Sequence, residues 1–222
     1  MKLSKRLLNC AQFTVGFNRL ADIGTDHAHL PIHCVKEGFV SSAMAIDNKE
    51  GPFVIAFSNV KKQNLDSKIT VIKGDGLDKI DENVDVVVIS GMGGSLISRI
   101  LMKNDLKNVK RFILQPNNDT EAVRRSLKRI GFKIIDEIVL LDSSKIYDII
   151  VIEKGKAEYN NLELIFGPIN LSEKPFYFTK RIQSEIKNLT EITNKVIDPS
   201  QKVQIMARIK LLEEALVWMV KK

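Results

Sequence analysis

Short apolar runs alternate with stretches of helical periodicity from residue 19 to residue 154, the rhythm of an α/β sheet. The runs predict strands at 19–23, 43–46, 70–72, 84–89, 112–114, 133–140 and 148–152. The third, fourth and fifth are aliphatic or β-branched without clear alternation, as expected of parallel strands buried on both faces. Helices are expected at 29–36, closed by Gly38, and at 52–63, 95–102 and 120–129. Asp119 is placed to cap the last of these and Gly131 to end it. Residues 141–146, between the last two strands, are too few for a crossover helix, so those strands should pair as an antiparallel hairpin. Beyond Gly155, Phe178, Ile182, Ile186, Leu189, Ile192 and Val196 recur at steps of three and four. Asp198-Pro199-Ser200 interrupts the stripe, and Ile205, Ile209, Leu212, Leu216 and Met219 resume it. That is the pattern of two amphipathic helices folded back on each other. The expected division is 1–154 for an α/β domain and 155–222 for an appended helical domain.

Composition narrows the class. With 44% hydrophobic and 27% charged residues the chain can bury a core. No apolar run approaches the ~18 residues of a membrane helix. The basic first residues lead into Leu7 and Leu8, then at once into Asn9 and Gln12, so no signal-peptide core is expected. Cys10 and Cys34 lack metal or redox spacing and read as free thiols. The expectation is a cytoplasmic protein, without membrane or metal, acting as a monomer. A net charge of +7 suits a polyanionic partner, although a lysine-rich surface alone would give the same count. Candidate contacts are Lys5/Arg6, Lys61/Lys62, Arg124/Arg125, Lys128/Arg129 and Lys180/Arg181.

The loop chemistry is more specific. Leu20-Ala21-Asp22-Ile23-Gly24-Thr25-Asp26-His27 joins the first strand to the first helix of the α/β region. Glycine there lets backbone approach a ligand, and the helix start offers unpaired N–H donors. Only one glycine of the dinucleotide fingerprint is present, which argues against NAD. A pyrophosphate would be repelled by Asp26, whereas the ammonium and sulfonium of S-adenosylmethionine favour Asp22 or Asp26. Asp47 ends the second strand, 25 residues beyond Asp22, where a carboxylate can accept from ribose hydroxyls. Asp75-Gly76 follows the third strand, where an adenine would lie. Acids after three successive strands share the carboxyl edge of the sheet. Five βα units closed by a hairpin, with this cofactor, predict a class I, Rossmann-like methyltransferase sheet.

The fourth strand runs into Ser90-Gly91-Met92-Gly93-Gly94, without the Asn/Asp-Pro-Pro-aromatic motif of exocyclic amino methylation. Three glycines in four residues leave room for the methionine moiety or a target base, although a tight turn also needs one or two. Residues 21–31 (Ala-Asp-Ile-Gly-Thr-Asp-His-Ala-His-Leu-Pro), then Gly91-Met92-Gly93-Gly94, then Leu114-Gln115-Pro116-Asn117 resemble the TrmK family of tRNA methyltransferases. The resemblance spans essentially the whole chain and implies methylation of N1 of adenine 22 in bacterial tRNA. It also implies that the C-terminal hairpin is that family's coiled coil. His29 departs from the tyrosine expected there.

Methylating adenine N1 needs no general base, because its lone pair is free near neutral pH. The base must be extruded, and a carboxylate aimed at the ring would stabilise its growing positive charge. Asp26 is the candidate, oriented by His27; alternatively Asp26 merely caps the helix. Gly94, Gln115, Pro116, Asn117 and His29 are candidates for binding the substrate, with the Gln115 and Asn117 amides on the adenine edge, or for satisfying loop backbone. Gly24, Thr25, Gly91, Met92 and Gly93 complete the expected cofactor surface. Two other functions fit parts of the pattern. A methyltransferase for a small metabolite explains the acids but leaves the helical hairpin and charge idle. A non-catalytic tRNA-binding protein on this fold would bind tRNA without transferring methyl.

Overall fold

A computed structural model describes residues 3–103 and 108–221. Helix α1 (Lys5–Gln12) precedes a seven-stranded sheet of β1 (Arg19–Ile23), β2 (Ser42–Asp47), β3 (Ile69–Lys73), β4 (Val86–Met92), β5 (Arg111–Pro116), β6 (Phe132–Asp142) and β7 (Lys145–Lys154). Between the strands lie α2 (His29–Lys36), α3 (Glu50–Lys62), α4 (Gly94–Lys103) and α5 (Thr120–Ile130). Strand order is β3-β2-β1-β4-β5-β7-β6, with β1 to β5 parallel and β7 antiparallel to both neighbours. The expected Rossmann-like sheet with its terminal hairpin is therefore present. The hairpin turns on Ser143 and Ser144, both at positive φ, as a tight two-residue turn demands.

Burial corrects one expectation. β4 and β5 are buried on both faces, but β3 is an edge strand with Thr70 and Lys73 exposed. An apolar or β-branched run of three residues does not by itself distinguish an edge from a centre. Two apolar layers flank the sheet, one around Ile89, Leu101 and Phe112, the other around Leu20, Val35 and Ile113.

The C-terminal segment contains two short helices, α6 (Asn161–Phe166) and α7 (Pro168–Glu173), before the hairpin of α8 (Phe176–Thr193) and α9 (Pro199–Lys221). Phe178 and Ile182 share a core with Leu212, Ala215 and Met219, and Glu185 bonds Arg208 at 2.7 Å, so α8 and α9 run antiparallel. Val139 of β6 belongs to the same core. This layer is thus packed on the sheet, not tethered beside it.

Two arginines named above as nucleic-acid contacts are the bolts. Arg124 is 1% exposed; its Nε donates to Glu137 at 2.8 Å, and its Nη1 to the Leu164 and Ile165 carbonyls. Glu137 in turn accepts the Ile169 and Asn170 amides. Arg181 grips Asp148 through both terminal nitrogens, tying α8 to β7. The Arg124 guanidinium is buried away from any phosphate, and that of Arg181, a third exposed, is already paired with a carboxylate. A helix-face count cannot see this, because the acids come from strands distant in sequence.

Candidate active site

The chain leaves β1 toward β2 on one side of the sheet and returns to β4 on the other. Ligands of open α/β sheets bind in the crevice at such a reversal, beyond the carboxyl ends of the strands. A cavity of about 240 Å³ lies there, lined by Arg6, Leu7, Asp22, Gly24, Thr25, Asp26, His27, His29, Leu30, Ser90 and Gly91. Seven residues expected from the sequence meet in it: Asp22, Gly24, Thr25, Asp26, His27, His29 and Gly91.

The β1–α2 loop is strained where it faces the cavity. Gly24, Asp26 and Ala28 have φ of +71°, +53° and +56°. Left-handed backbone is cheap for glycine but costs about 1–3 kcal/mol at other residues, and it is held only where surroundings impose it. The surroundings here are two amides of the loop, Gly24 and Thr25, that donate to the Ile46 carbonyl, and the Asp26 amide that donates to Asp47 Oδ2 at 3.2 Å. Asp47 also accepts the Lys49 amide at 3.0 Å, so it fastens this loop and keeps spare lone pairs. A Cβ on Gly24 would come within 2.4 Å of the Met92 methyl, which explains both residues' places in the motif. Asp26 does not cap α2: the N-cap position is Ala28, with no side-chain hydrogen bond.

Asp22 is 4% exposed and accepts from the Thr25 hydroxyl at 2.7 Å. Burial pushes its pKa up to about 7; the Thr25 hydrogen bond lowers it, and the Asp47 charge raises it again. Among the described residues no basic side chain offsets that cost, so the site fits a cation. Asp26 has its side chain two-thirds exposed, with Oδ2 3.4 Å from His27 Nε2. His27 stacks on His29 with ring centroids 5.2 Å apart and planes 14° from parallel. Burial first, and then His27, lower the His29 pKa, so this ring is neutral. Its buried Nδ1 has no hydrogen-bond partner among the described residues.

The remaining expected residues stand around the cavity, not in its lining. Asp75 is exposed at the end of β3, and Gly76, at φ +54°, backs onto Ile100. Gly94 is the first residue of α4, and the space of its missing Cβ belongs to the Asp119 carbonyl, 2.0 Å away. Protein backbone, not substrate, therefore uses that room; Gly93 similarly faces Asn118 Oδ1 at 3.1 Å. Gln115 is fully buried, and its amide is saturated. Oε1 accepts from the Gly91 amide at 3.0 Å and from Arg6 Nη1, while Nε2 donates to the Pro116 carbonyl and to Asn117 Oδ1. Asn117 Nδ2 donates to the Gly91 carbonyl at 2.7 Å, and its backbone amide to the Met92 carbonyl at 2.7 Å. The buried Gln115 amide is therefore not free for an adenine edge, whereas exposed Asn117 keeps one Nδ2 hydrogen for a further partner. Both shape the Gly91 bulge, where the β4–β5 register shifts between Ser90 and Met92.

Arg6, expected only as a phosphate contact, and Leu7 enter the lining from α1. Ser4 caps it, and Leu7, Cys10 and Ala11 pack inward at helical spacing, a signal visible in the sequence but short. Among the described residues no cluster of His, Cys, Asp and Glu could hold a metal, and no helix is long and apolar enough to cross a membrane.

Comparison with known proteins agrees with this geometry. The family model described as tRNA (adenine(22)-N(1))-methyltransferase, TrmK, matches residues 20–220. The Bacillus subtilis tRNA (adenine(22)-N(1))-methyltransferase is 35% identical, with 96% of this chain and 94% of that protein covered. A Streptococcus pneumoniae structure in complex with S-adenosyl-L-methionine superposes with a TM-score of 0.90 at 36% identity, covering 97% of this chain and 100% of that one. The M. capricolum TrmK structure in complex with S-adenosyl-homocysteine gives a TM-score of 0.88 at 30% identity, covering 99% and 100%.

Proposed function

The chain belongs to the TrmK family of tRNA (adenine(22)-N(1))-methyltransferases, and from that premise we propose that it methylates N1 of adenine 22 in tRNA with S-adenosylmethionine as donor. The observation that carries the reading is the cavity between the β1 and β4 loops, with a buried carboxylate that has no basic partner among the described residues. Bound there, the cofactor supplies an electrophilic methyl group on a sulfonium. Asp22 holds the cationic amino group, Gly24 and Thr25 bring backbone close to the ligand, and Asp47 receives ribose hydroxyls on its spare lone pairs. Asp75 and Gly76 border the adenine end, while Met92, outside the lining, backs Gly24 with Gly93 next to it.

The chain's remaining task is to position the target base and stabilise its charge. Adenine N1 carries its own lone pair, so no residue has to remove a proton. Asp26 stands at the mouth of the cavity, where a carboxylate stabilises a ring that becomes cationic. His27 steadies it, and the paired rings of His27 and His29 offer a flat surface against which an extruded base can stack. Residues 1–154 then form the catalytic domain, and 155–222 the appended helical domain, in a cytoplasmic monomer.

The deciding experiment treats an unmodified tRNA transcript with the protein and S-adenosylmethionine and maps the methylated base. Methyl at N1 of adenine 22, absent when that base is guanine, is expected; methylation elsewhere or none would remove the assignment. Asp26→Asn should lower kcat by about tenfold or more with cofactor affinity unchanged. The loss falls toward or below the low end of the ~10²–10³ seen for fully preorganised sites, because the carboxylate is largely exposed.

A further inference from the structure

Helices α2 and α3 share one apolar layer, with Leu30, Ile32 and Val35 of the first and Ala56 and Val60 of the second. Between them lies a groove of about 220 Å³, whose lining includes His33, Lys36, Glu37, Asn59, Lys62 and Gln63. The chemistry above gives it no task. It is joined to the candidate active site in two ways. His33 stands one turn beyond His29 on the same face of α2, and Lys36 two turns beyond it, about 10 Å along the helix. Asn59 Nδ2 donates at 3.0 Å to the carbonyl of His27, so α3 is tied to the loop that carries Asp26.

The groove is basic. Lys36 Nζ donates to Gln63 Oε1 and keeps two hydrogens. Among the described residues neither Lys36 nor Lys62 is paired with a carboxylate. His33 adds an imidazole held edge-on to Phe39 at 5.6 Å, and Glu37 is the one acid among the described lining residues. Of the Lys61/Lys62 pair only Lys62 lines this groove; Lys61 lies over the Phe57 ring at 4.8 Å.

We propose that this groove holds backbone phosphates of the tRNA strand that presents the target adenine, an inference that rests on the substrate reading given above. An extruded base stays attached to its strand, so a base stacked on the His27 and His29 rings brings its neighbouring phosphates to the surface around them. The α2–α3 groove is part of that surface. Lys36 and Lys62 meet phosphate charge there, the contact that supplies much of the affinity for nucleic acid. The amides of Asn59 and Gln63 are neutral groups suited to ribose hydroxyls, which favours RNA over an acidic protein as the occupant. A free phosphate would have only exposed lysines on separate helices to hold it, whereas a strand is held at several points at once.

Binding of unmodified tRNA to the intact protein, measured across salt concentrations, tests the assignment. Lys36→Gln/Lys62→Gln should bind more weakly, with a salt slope shallower by about two. A control of equal charge, Lys103→Gln/Lys110→Gln, removes exposed lysines already paired with Asp78 and Asp85 and should keep the wild-type slope. A slope unchanged in the groove variant, or lowered equally in the control, would overturn the proposal. Location is read with tRNA whose linkages beside the target adenine are uncharged methylphosphonates. That change should weaken binding to the wild type and cost the groove variant markedly less. Equal cost in both proteins would place the lysines elsewhere on the RNA, and the proposal would fall. A groove variant that loses only its stabilisation by inorganic phosphate, with tRNA binding intact, would make the groove a small-anion site and end the RNA assignment. If the double variant does not fold, Lys62→Gln alone decides: a slope shallower by about one is expected, and an unchanged slope sinks the proposal. A wild type that binds no tRNA overturns the substrate reading itself.

Discussion

Asp22 shows how one residue couples folding to ligand binding. In a solvated chain its carboxyl titrates near 3.8, and in the fold burial lifts it to about 7. Between those values the folded state holds more protons than the unfolded one, so stability falls as pH rises. The folded protein without ligand should therefore be relatively most stable below about pH 4 as far as this group is concerned, and should have lost that contribution above about pH 7. The full shift corresponds to at most ~4 kcal/mol. Asp22→Asn should flatten the decline, raising the melting temperature at pH 8 more than at pH 5, while abolishing cofactor binding. Melting curves of both proteins at the two pH values check it; an unchanged difference would show that the carboxyl is not desolvated. Cofactor affinity of the wild type should strengthen through pH 7 as Asp22 ionises.

At the scale of elements, glycines of the two loop motifs separate into different tasks. Gly94 lets the start of α4 pack against the Asn118–Asp119 backbone, which cannot give way as a side chain can. Gly94→Ala should cost about 1–3 kcal/mol or more of stability, as overpacking does. Gly24 faces only the flexible end of Met92, yet sits at φ +71° in the strained loop. Gly24→Ala should reduce cofactor affinity well beyond its effect on denaturant stability, and the two variants measured side by side test the division. Elements were legible in the sequence where period and punctuation agreed. Helix α5 has its expected Asp119 cap, bonded to the Ala122 amide, and its αL Gly131. Helices α6 and α7 were missed because each spans only six residues, although the Asn160–Glu163 capping box marks the first and Pro168 opens the second.

At the scale of the whole molecule, the buried Arg124–Glu137 pair joins α5 and β6 to the carbonyls and amides of α6 and α7. Removing one partner leaves an uncompensated buried charge, so Arg124→Ala should cost about 3–5 kcal/mol in urea unfolding. Glu137, whose pKa burial raises despite the arginine, is the group left unpaired. The same variant, measured where it is still folded, should keep the wild-type salt dependence of tRNA binding, because Arg124 is inaccessible to phosphate. A shallower slope would show that it reaches RNA after all. The wild-type slope itself should be steep, given a net charge of +7.

Periodicity, turn residues and the order of acids along the chain determined the sheet, its terminal hairpin, the helical pair and the chemistry of the β1 loop. These are local signals, fixed by residue types a few positions apart. Only the tertiary structure decided which polar groups remain available. Gln115 and Arg124 have the composition of binding residues, yet each is buried and consumed by partners, among them groups far away in sequence. Arg6 carries the same charge cue as a candidate phosphate contact, yet it lines the cavity because α1 packs on α2 and β6. Hydrogen-bond capacity is used up by whatever lies nearest in space, and sequence distance does not record it.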